Sequence, residues 1–106
     1  MNVLLHVPDK SRTDNAFSNA KNILKEGGQL PRIQIVFNAN AVIDVLEKVI
    51  PDELTDSKHV ELILCHNSLK ANNIDPGIIP ARFTIVPAAI LYLMQEQHNG
   101  AIYIRP

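Results

Sequence analysis

The sequence lacks the features that mark secreted and membrane proteins. It has one cysteine, Cys65, so an internal disulfide is impossible, whereas small secreted domains usually carry several. The first apolar segment is broken by Pro8, which is too early for a signal peptide. No apolar run approaches the roughly eighteen residues needed to cross a bilayer. These absences predict a cytoplasmic protein with no membrane contact.

The sequence also has no excess of charge of one sign. Ten Lys and Arg residues face eleven Asp and Glu residues, which gives a net charge of -1 and an isoelectric point of about 6.4. Nucleic-acid-binding domains usually show a basic patch or a high isoelectric point, so we expect no nucleic-acid partner. Tryptophan is absent and only 5% of residues are aromatic, against 46% hydrophobic. An aliphatic core in one domain, residues 1–106, is therefore predicted.

Several common site motifs are absent as well. No Gly-rich dinucleotide fingerprint or phosphate-binding loop follows a predicted strand, and there is no Cys-x-x-Cys or His-Glu-x-x-His. One cysteine with scattered histidines is poor support for a zinc site. The sequence therefore predicts no cofactor and no metal.

Apolar segments of strand length alternate with helical patterns. Strands are predicted at residues 3–7, 33–37, 60–65, 83–86 and 101–104. The first helix is expected to stop at Gly27 and Gly28, and the second to carry an apolar stripe that includes Val49. This alternation predicts an α/β fold with a mainly parallel five-stranded sheet covered by helices on both faces. The nearly continuous apolar strands agree with such burial.

Ligands of an open parallel sheet bind beyond the carboxyl ends of its strands. That rule selects the residues that end the predicted strands as candidate site residues: His6, Asn38, Asn40, Cys65, His66, Asn67, Ser68 and Pro87. Asn40 is also expected to cap the second helix, and Pro87 to occupy the first turn of the last helix. Asn38 and Asn40 most simply serve their turn and cap, and a histidine such as His6 is more often packed than catalytic.

Cys65 is the most informative of these residues. It ends a strand immediately before a predicted helix, where free N–H groups and the helix dipole favour a thiolate. We therefore expect a partly exposed thiol with a pKa below its ordinary value. Free cysteine is also among the most buried residue types, so a purely structural Cys65 stays open.

The order of several short segments resembles the DsrE/DsrF-like family, specifically its short stand-alone branch. The resemblance spans nearly the whole chain. It is carried by VLLHV at 3–7, NAKN at 19–22, VFNANAV at 36–42, VELILCHNSL at 60–69, VP at 86–87 and GAIYIRP at 100–106. The resemblance implies a three-layer α/β/α fold and homo-oligomers such as trimers or hexamers. It also implies sulfur relay as a cysteine persulfide, with Cys65 at the position of the family's cysteine after the third strand.

Two functions follow as expectations. The first is a sulfur carrier of sulfurtransferase-like chemistry, which forms a persulfide on Cys65 between donor and acceptor proteins. The alternative is a non-catalytic oligomeric module that binds a small anion or nucleotide at the same sheet edge, with Cys65 structural. In either case the last helix, apolar around most of its start at residues 88–94, predicts a homo-oligomer.

Overall fold

The computed structural model describes residues 1–27 and 32–106. Within those ranges the strands are β1 (Asn2–Val7), β2 (Arg32–Phe37), β3 (Val60–Cys65), β4 (Phe83–Val86) and β5 (Ile102–Ile104). The α-helices are α1 (Thr13–Glu26), α2 (Ala41–Glu47), α3 (Asp52–Thr55), α4 (His66–Ala71) and α5 (Ala89–His98). Short 3-10 helices occupy Lys10–Arg12 and Pro76–Ile78. Helix α1 ends before Gly27 as predicted, and Gly28 lies outside the described residues.

The strands form one parallel sheet in the order β4-β3-β2-β1-β5, which confirms the predicted α/β fold. From β1 to β4 the chain moves steadily in one direction, and it then returns past β1 to add β5. Because such crossovers are right-handed, the last connection places its helix on the face opposite to the others. The fold is therefore a three-layer α/β/α arrangement with α5 alone on one side.

The larger core layer lies under α1 to α4. Alternate residues of each strand point into it, beginning with Val3, Leu5 and Val7 of β1, and meet small or aromatic residues of α1 such as Ala16 and Phe17. Phe17 packs edge-on against Phe37, with ring centroids 6.4 Å apart. The predicted aliphatic core is present, with these rings as its main aromatic contribution. This layer holds the strands in register and thereby fixes the carboxyl edge of the sheet.

The smaller core layer lies under α5. It contains the intervening strand residues, including Leu4, Val36 and Ile63, and only Ala89 and Leu93 of α5 are buried there. Cys65 belongs to this layer. Helix α5 is thus held to the sheet by little apolar surface.

A polar cluster adds to the attachment of α5. Gln34 is fully buried on β2, and its Nε2 donates to Glu96 Oε1 at 2.9 Å. The Tyr92 hydroxyl donates to Gln34 Oε1 and also lies 3.3 Å from Glu96 Oε1. Arg32 pairs with Glu61 at 2.5 Å at the margin of this cluster. Burial and the Glu96 carboxylate raise the pKa of Tyr92 to about 12, so its hydroxyl remains a donor at neutral pH.

The second predicted helix is shorter than its apolar pattern indicated. Helix α2 ends at Glu47, and Lys48 is already extended at φ -91° and ψ 149°. Val49, expected on the buried stripe, is 95% exposed. Pro51 disfavours helical backbone just before it, and the chain leaves the helix early enough to turn Val49 outward.

Replacing Tyr92 with Phe tests the attachment of α5. The change removes one hydroxyl and leaves the Gln34 side-chain oxygen buried without its donor, so we expect a loss of about 1–2 kcal/mol in the free energy of unfolding. Urea denaturation at pH 7 measures it. The raised pKa also means that this stabilisation is complete below the unfolded pKa of about 10 and disappears as pH rises through about 12. An unchanged unfolding midpoint at pH 7 would contradict the role given to Tyr92.

Candidate functional site

Cys65 ends β3 at the carboxyl edge of the sheet and directly precedes α4. Cys65 pairs with Val86 of β4. After Val86 the chain passes over Cys65 and begins α5 at Ala89. Only 5% of the residue is exposed, so the expectation of a partly exposed thiol is wrong. The sequence placed Cys65 at a strand end correctly, but the first turn of α5 covers that end.

Hydrogen-bond donors converge on the buried sulfur. The Ala89 backbone N–H, in the first turn of α5, donates to Cys65 Sγ at 3.4 Å. The Ser68 hydroxyl and the N–H groups of Ser68 and Asn67, in the first turn of α4, lie close enough to the sulfur to lower the pKa of the thiol as well. Burial raises the pKa of the Cys65 thiol, but these donors together outweigh burial and hold the pKa below its ordinary value. The expected direction of the pKa is therefore present, with two helix starts as its source.

Ser68 also fastens the neighbouring loop after β2. Its Oγ accepts a hydrogen bond from the Ala39 N–H at 2.8 Å, and Asn72 Nδ2 donates to the Ala39 carbonyl at 3.3 Å. Ala39 adopts a left-handed backbone with φ 53°, an uncommon conformation for a residue other than glycine. These two contacts, from Ser68 of α4 and from Asn72 just after it, hold that conformation in place. The hydroxyl beside Cys65 and the loop that carries Asn38 are thus parts of one connected structure.

A second group of polar side chains crosses three strands at the same edge. His6 Nε2 lies 2.9 Å from Asn38 Oδ1, and His6 Nδ1 lies 2.6 Å from the Tyr103 hydroxyl. Because an amide oxygen can only accept, the proton of His6 is on Nε2, and Nδ1 accepts from Tyr103. Burial, opposed by the Asn38 contact and aided by nearby Arg105, lowers the pKa of His6. The imidazole is therefore neutral at pH 7.

The sheet register relates this group to Cys65. Phe37 pairs with Leu64. The alternation of side chains therefore puts Asn38, the residue after β2, beside Cys65 and on the same α5 face. His6 is on β1, two strands from β3, which at about 4.8 Å per strand is roughly 10 Å away. His6 is therefore too distant to act as a base on Cys65, and Asn38 lies between them.

The remaining predicted site residues have mainly structural contacts. The Asn67 N–H donates to the Pro87 carbonyl at 3.3 Å, which joins α4 to the segment before α5. His66 is the half-buried first residue of α4. Pro87 was expected inside the last helix, but α5 begins at Ala89 because Ala88 is extended at φ -145° and ψ 120°.

Asn40 does not cap α2. Its backbone is helical, with φ -73° and ψ -11°, and its side chain makes no cap hydrogen bond. An N-cap side chain reaches the following N–H groups from an extended backbone, which Asn40 lacks. Its Oδ1 instead accepts from the Lys10 N–H at 2.9 Å and ties the β1 end to the β2 end.

Sequence reasoning missed Tyr103 and Ala89. Tyr103 pairs with Leu4 on the edge strand, and only the order of the strands brings its hydroxyl to His6. Ala89 contributes a backbone N–H, which no side-chain pattern reveals. The one available signal was the tyrosine itself, an amphipathic residue within an otherwise aliphatic strand.

Within residues 1–27 and 32–106, no three His, Cys, Asp or Glu side chains gather where they could hold a metal ion. In the same part of the chain, no helix has the length and apolar character to cross a membrane. The candidate site combines the Cys65 thiol and its donors with the adjoining polar group of His6, Asn38 and Tyr103.

A solved structure shares this fold. It is that of a protein of unknown function, MTH1491, from Methanobacterium thermoautotrophicum, which superposes with a TM-score of 0.82 and is 26% identical in sequence. The superposition covers 99% of this chain and 98% of the other. No protein-family model matches the chain, and no curated protein matches it. The fold is thus shared over its full extent with a protein whose activity is unknown.

The Ser68 hydroxyl is the part of the thiol environment that a point substitution can remove. Ser68→Ala deletes one donor to the thiolate, so the pKa of Cys65 should rise and alkylation at pH 7 should slow about tenfold, the equivalent of ~1.4 kcal/mol. The measurement is the pH dependence of iodoacetamide labelling of the native protein. Ser18→Ala, exposed on α1, is the matched control. Superimposable pH profiles for Ser68→Ala and the unaltered protein would refute the assignment.

Proposed function

We propose that the protein carries sulfane sulfur as a persulfide on Cys65. The observation that carries this proposal is the Ala89 N–H that donates to the buried Cys65 Sγ, with the Ser68 hydroxyl and the first N–H groups of α4 beside the same sulfur. A cysteine that merely packs in an apolar layer has its pKa raised by burial. At Cys65 the donors reverse that effect, and they are suited to holding a sulfur anion rather than a neutral thiol.

The proposed reaction is an exchange of one sulfur atom without external oxidant or reductant. The Cys65 thiolate attacks the outer sulfur of a donor persulfide, R–S–SH. A new S–S bond forms on Cys65 as the donor's S–S bond breaks, and the donor leaves as the thiolate R–S⁻. An acceptor thiolate then attacks the outer sulfur in the same way and regenerates the Cys65 thiolate.

Burial of Cys65 places a condition on this reaction. The donor reaches Sγ only when the start of α5 moves aside, because Ala89 is itself 1% exposed and lies against the sulfur. Helix α5 buries only Ala89 and Leu93 in the core, so a movement of its first turn exposes little apolar surface. A covered site would also protect a persulfide from solvent oxidants between the two transfers.

The resemblance to DsrE/DsrF-like proteins supports the same chemistry and adds donor and acceptor proteins as partners. A lone free thiol is suited to the reducing cytoplasm, which is the compartment we propose. The alternative, a module that binds a small anion or nucleotide with a structural Cys65, draws its support from the burial of the thiol. The two differ in whether Cys65 takes up sulfur.

Incubation with a small persulfide distinguishes the sulfur carrier from the binding module. Incubation with glutathione persulfide should add one sulfur atom to the intact protein, detected by mass spectrometry, and the adduct should disappear on addition of free cysteine. Cys65→Ser should fold and give no adduct, since the sulfur bond has no other cysteine to form on. A native protein that takes up no sulfur over a range of pH values would leave the binding module as the better description.

We also propose a homo-oligomer, in which the resemblance favours a trimer or hexamer. Ile90, Leu91 and Met94 on the outer side of α5 are 67%, 50% and 61% exposed. The neighbouring edge strand β5 presents the exposed side chains of Ile102, Tyr103 and Ile104, and no other strand of the described residues pairs with its outer edge. Edges of this kind are usually blocked by charge, proline or a partner. A second copy of the chain carries the same surface and covers it by symmetry.

Light scattering at micromolar concentration tests this assembly. We expect a mass several times 11.8 kDa, and a shift toward the monomer in the double variant Ile90→Asp, Met94→Lys, whose charges oppose burial. Ile78→Asp is the matched control, because Ile78 is 72% exposed on a different part of the molecule. A mass of 11.8 kDa for the unaltered protein would refute the oligomer. An oligomer that the double variant leaves intact would show that α5 does not form the contact.

A further inference from the structure

We infer that Tyr103 and His6 are positioning residues that hold the Asn38 amide group as a hydrogen-bond donor to the outer sulfur of the Cys65 persulfide. The inference rests on the proposed function and adds to it a role for side chains that make no contact with the resting thiol. It assigns separate donors to the two sulfur atoms of the persulfide.

A chain of hydrogen bonds across the sheet connects Tyr103 to Asn38. Tyr103 on β5 donates to His6 on β1, and His6 donates to Asn38 at the end of β2. The Asn38 backbone is fixed as well, because its N–H donates to the Val7 carbonyl at 3.2 Å and its carbonyl accepts from the Ala41 N–H at 3.2 Å. Both the position of Asn38 and the orientation of its carboxamide are therefore set from the β1 side.

The amide nitrogen of Asn38 is on the side of the carboxamide away from His6. Strand β2 lies between β1 and β3, and the Asn38 oxygen is occupied by His6 on the β1 side. The Nδ2 group is on the other end of the same planar carboxamide, and we infer that it faces β3. Cys65 is level with Asn38 on that strand and on the same face of the sheet.

The two sulfur atoms of the persulfide have different hydrogen-bond donors. The Ala89 N–H donates to Sγ itself and Ser68 lies beside it, whereas Asn38 is not among the groups that lower the pKa of the resting thiol. A persulfide extends the chain by one S–S bond of about 2 Å, which carries the outer sulfur beyond these donors. The anionic outer sulfur then needs a donor of its own, and Asn38 stands on the adjacent strand.

The hydrogen-bonded group of Tyr103, His6 and Asn38 is uncharged, which suits it to binding the anionic outer sulfur. His6 is neutral at pH 7 because burial lowers its pKa, so the chain from Tyr103 to Asn38 keeps one direction of donation around neutrality. The Asn38 amide thus stabilises an anion without supplying a proton.

The test compares sulfur loading with thiol acidity in the same variants. Asn38→Ala should lower the equilibrium constant for loading from glutathione persulfide by about three- to tenfold, the effect of one hydrogen bond. Its alkylation profile without persulfide should match that of the unaltered protein, because Asn38 does not donate to the resting thiol. A merely structural role would move both readouts together. Asn22→Ala, exposed on α1, is the matched control.

Two His6 variants test whether the hydrogen bond to Asn38 matters or only the size of the side chain at position 6. Glutamine retains an N–H donor near the position of Nε2, so His6→Gln should keep most of the loading, whereas His6→Leu should lower it as Asn38→Ala does. Tyr103→Phe removes only a hydroxyl at a residue that is 40% exposed, so it tests the chain without threatening the fold. We expect a smaller loss, of about two- to threefold, because Tyr103 acts through two intermediaries.

The outcomes distinguish the two levels of the proposal. If the unaltered protein takes up no sulfur, the proposed function fails and this inference fails with it. If the unaltered protein loads, and Asn38→Ala and Tyr103→Phe load equally well, the positioning role is overturned while the carrier function stands. If Asn38→Ala proves unfolded, loading by Tyr103→Phe and the contrast between the two His6 variants decide the matter.

Discussion

The return of the chain past β1 governs both the shape of the molecule and its site. After three crossovers in one direction, right-handedness requires the fourth to place its helix on the opposite face, and α5 therefore covers the second face alone. Its buried apolar contribution is limited to Ala89 and Leu93, and the Gln34–Tyr92–Glu96 cluster supplies polar contacts in addition. The same helix begins over Cys65. A single topological constraint thus determines which side of the sheet is thinly covered and where the thiol becomes buried.

The site depends on a balance between burial and hydrogen bonding at one sulfur atom. Taking a thiolate out of water is unfavourable, and in an apolar layer this effect alone would keep Cys65 protonated. Two helices begin beside the sulfur, and their first-turn N–H groups have no partner within the helix. Of these groups, the Ala89 N–H of α5 donates to Sγ. The Ser68 hydroxyl adds a donor that is itself held by the loop after β2. The lowered pKa of Cys65 is therefore a property of the packing of α4, α5 and that loop together.

The elements were largely predictable because their signals are local. Strand-length apolar segments separated by helical patterns predicted all five strands and the covering of both faces. Local signals also set the limits of that success. The apolar spacing that included Val49 continued beyond the point where Pro51 ends the helix, and Asn40 has the chemistry of a cap but a helical backbone that prevents it. Burial of Cys65 depended on a segment more than twenty residues further along the chain, beyond the reach of any local pattern.

The amino-acid sequence by itself determined the order of strands and helices, the parallel α/β class and the set of polar residues that follow the strands. It did so because hydrophobic periodicity, proline and turn chemistry act between residues close together in the chain. Only the tertiary structure decided which of those residues meet. The order β4-β3-β2-β1-β5 puts Tyr103 beside His6, sets Asn38 between His6 and Cys65, and turns the first N–H groups of α5 onto the sulfur. These neighbours are brought together by strand pairing and by the hand of the crossovers, which are long-range properties that no short stretch of sequence contains.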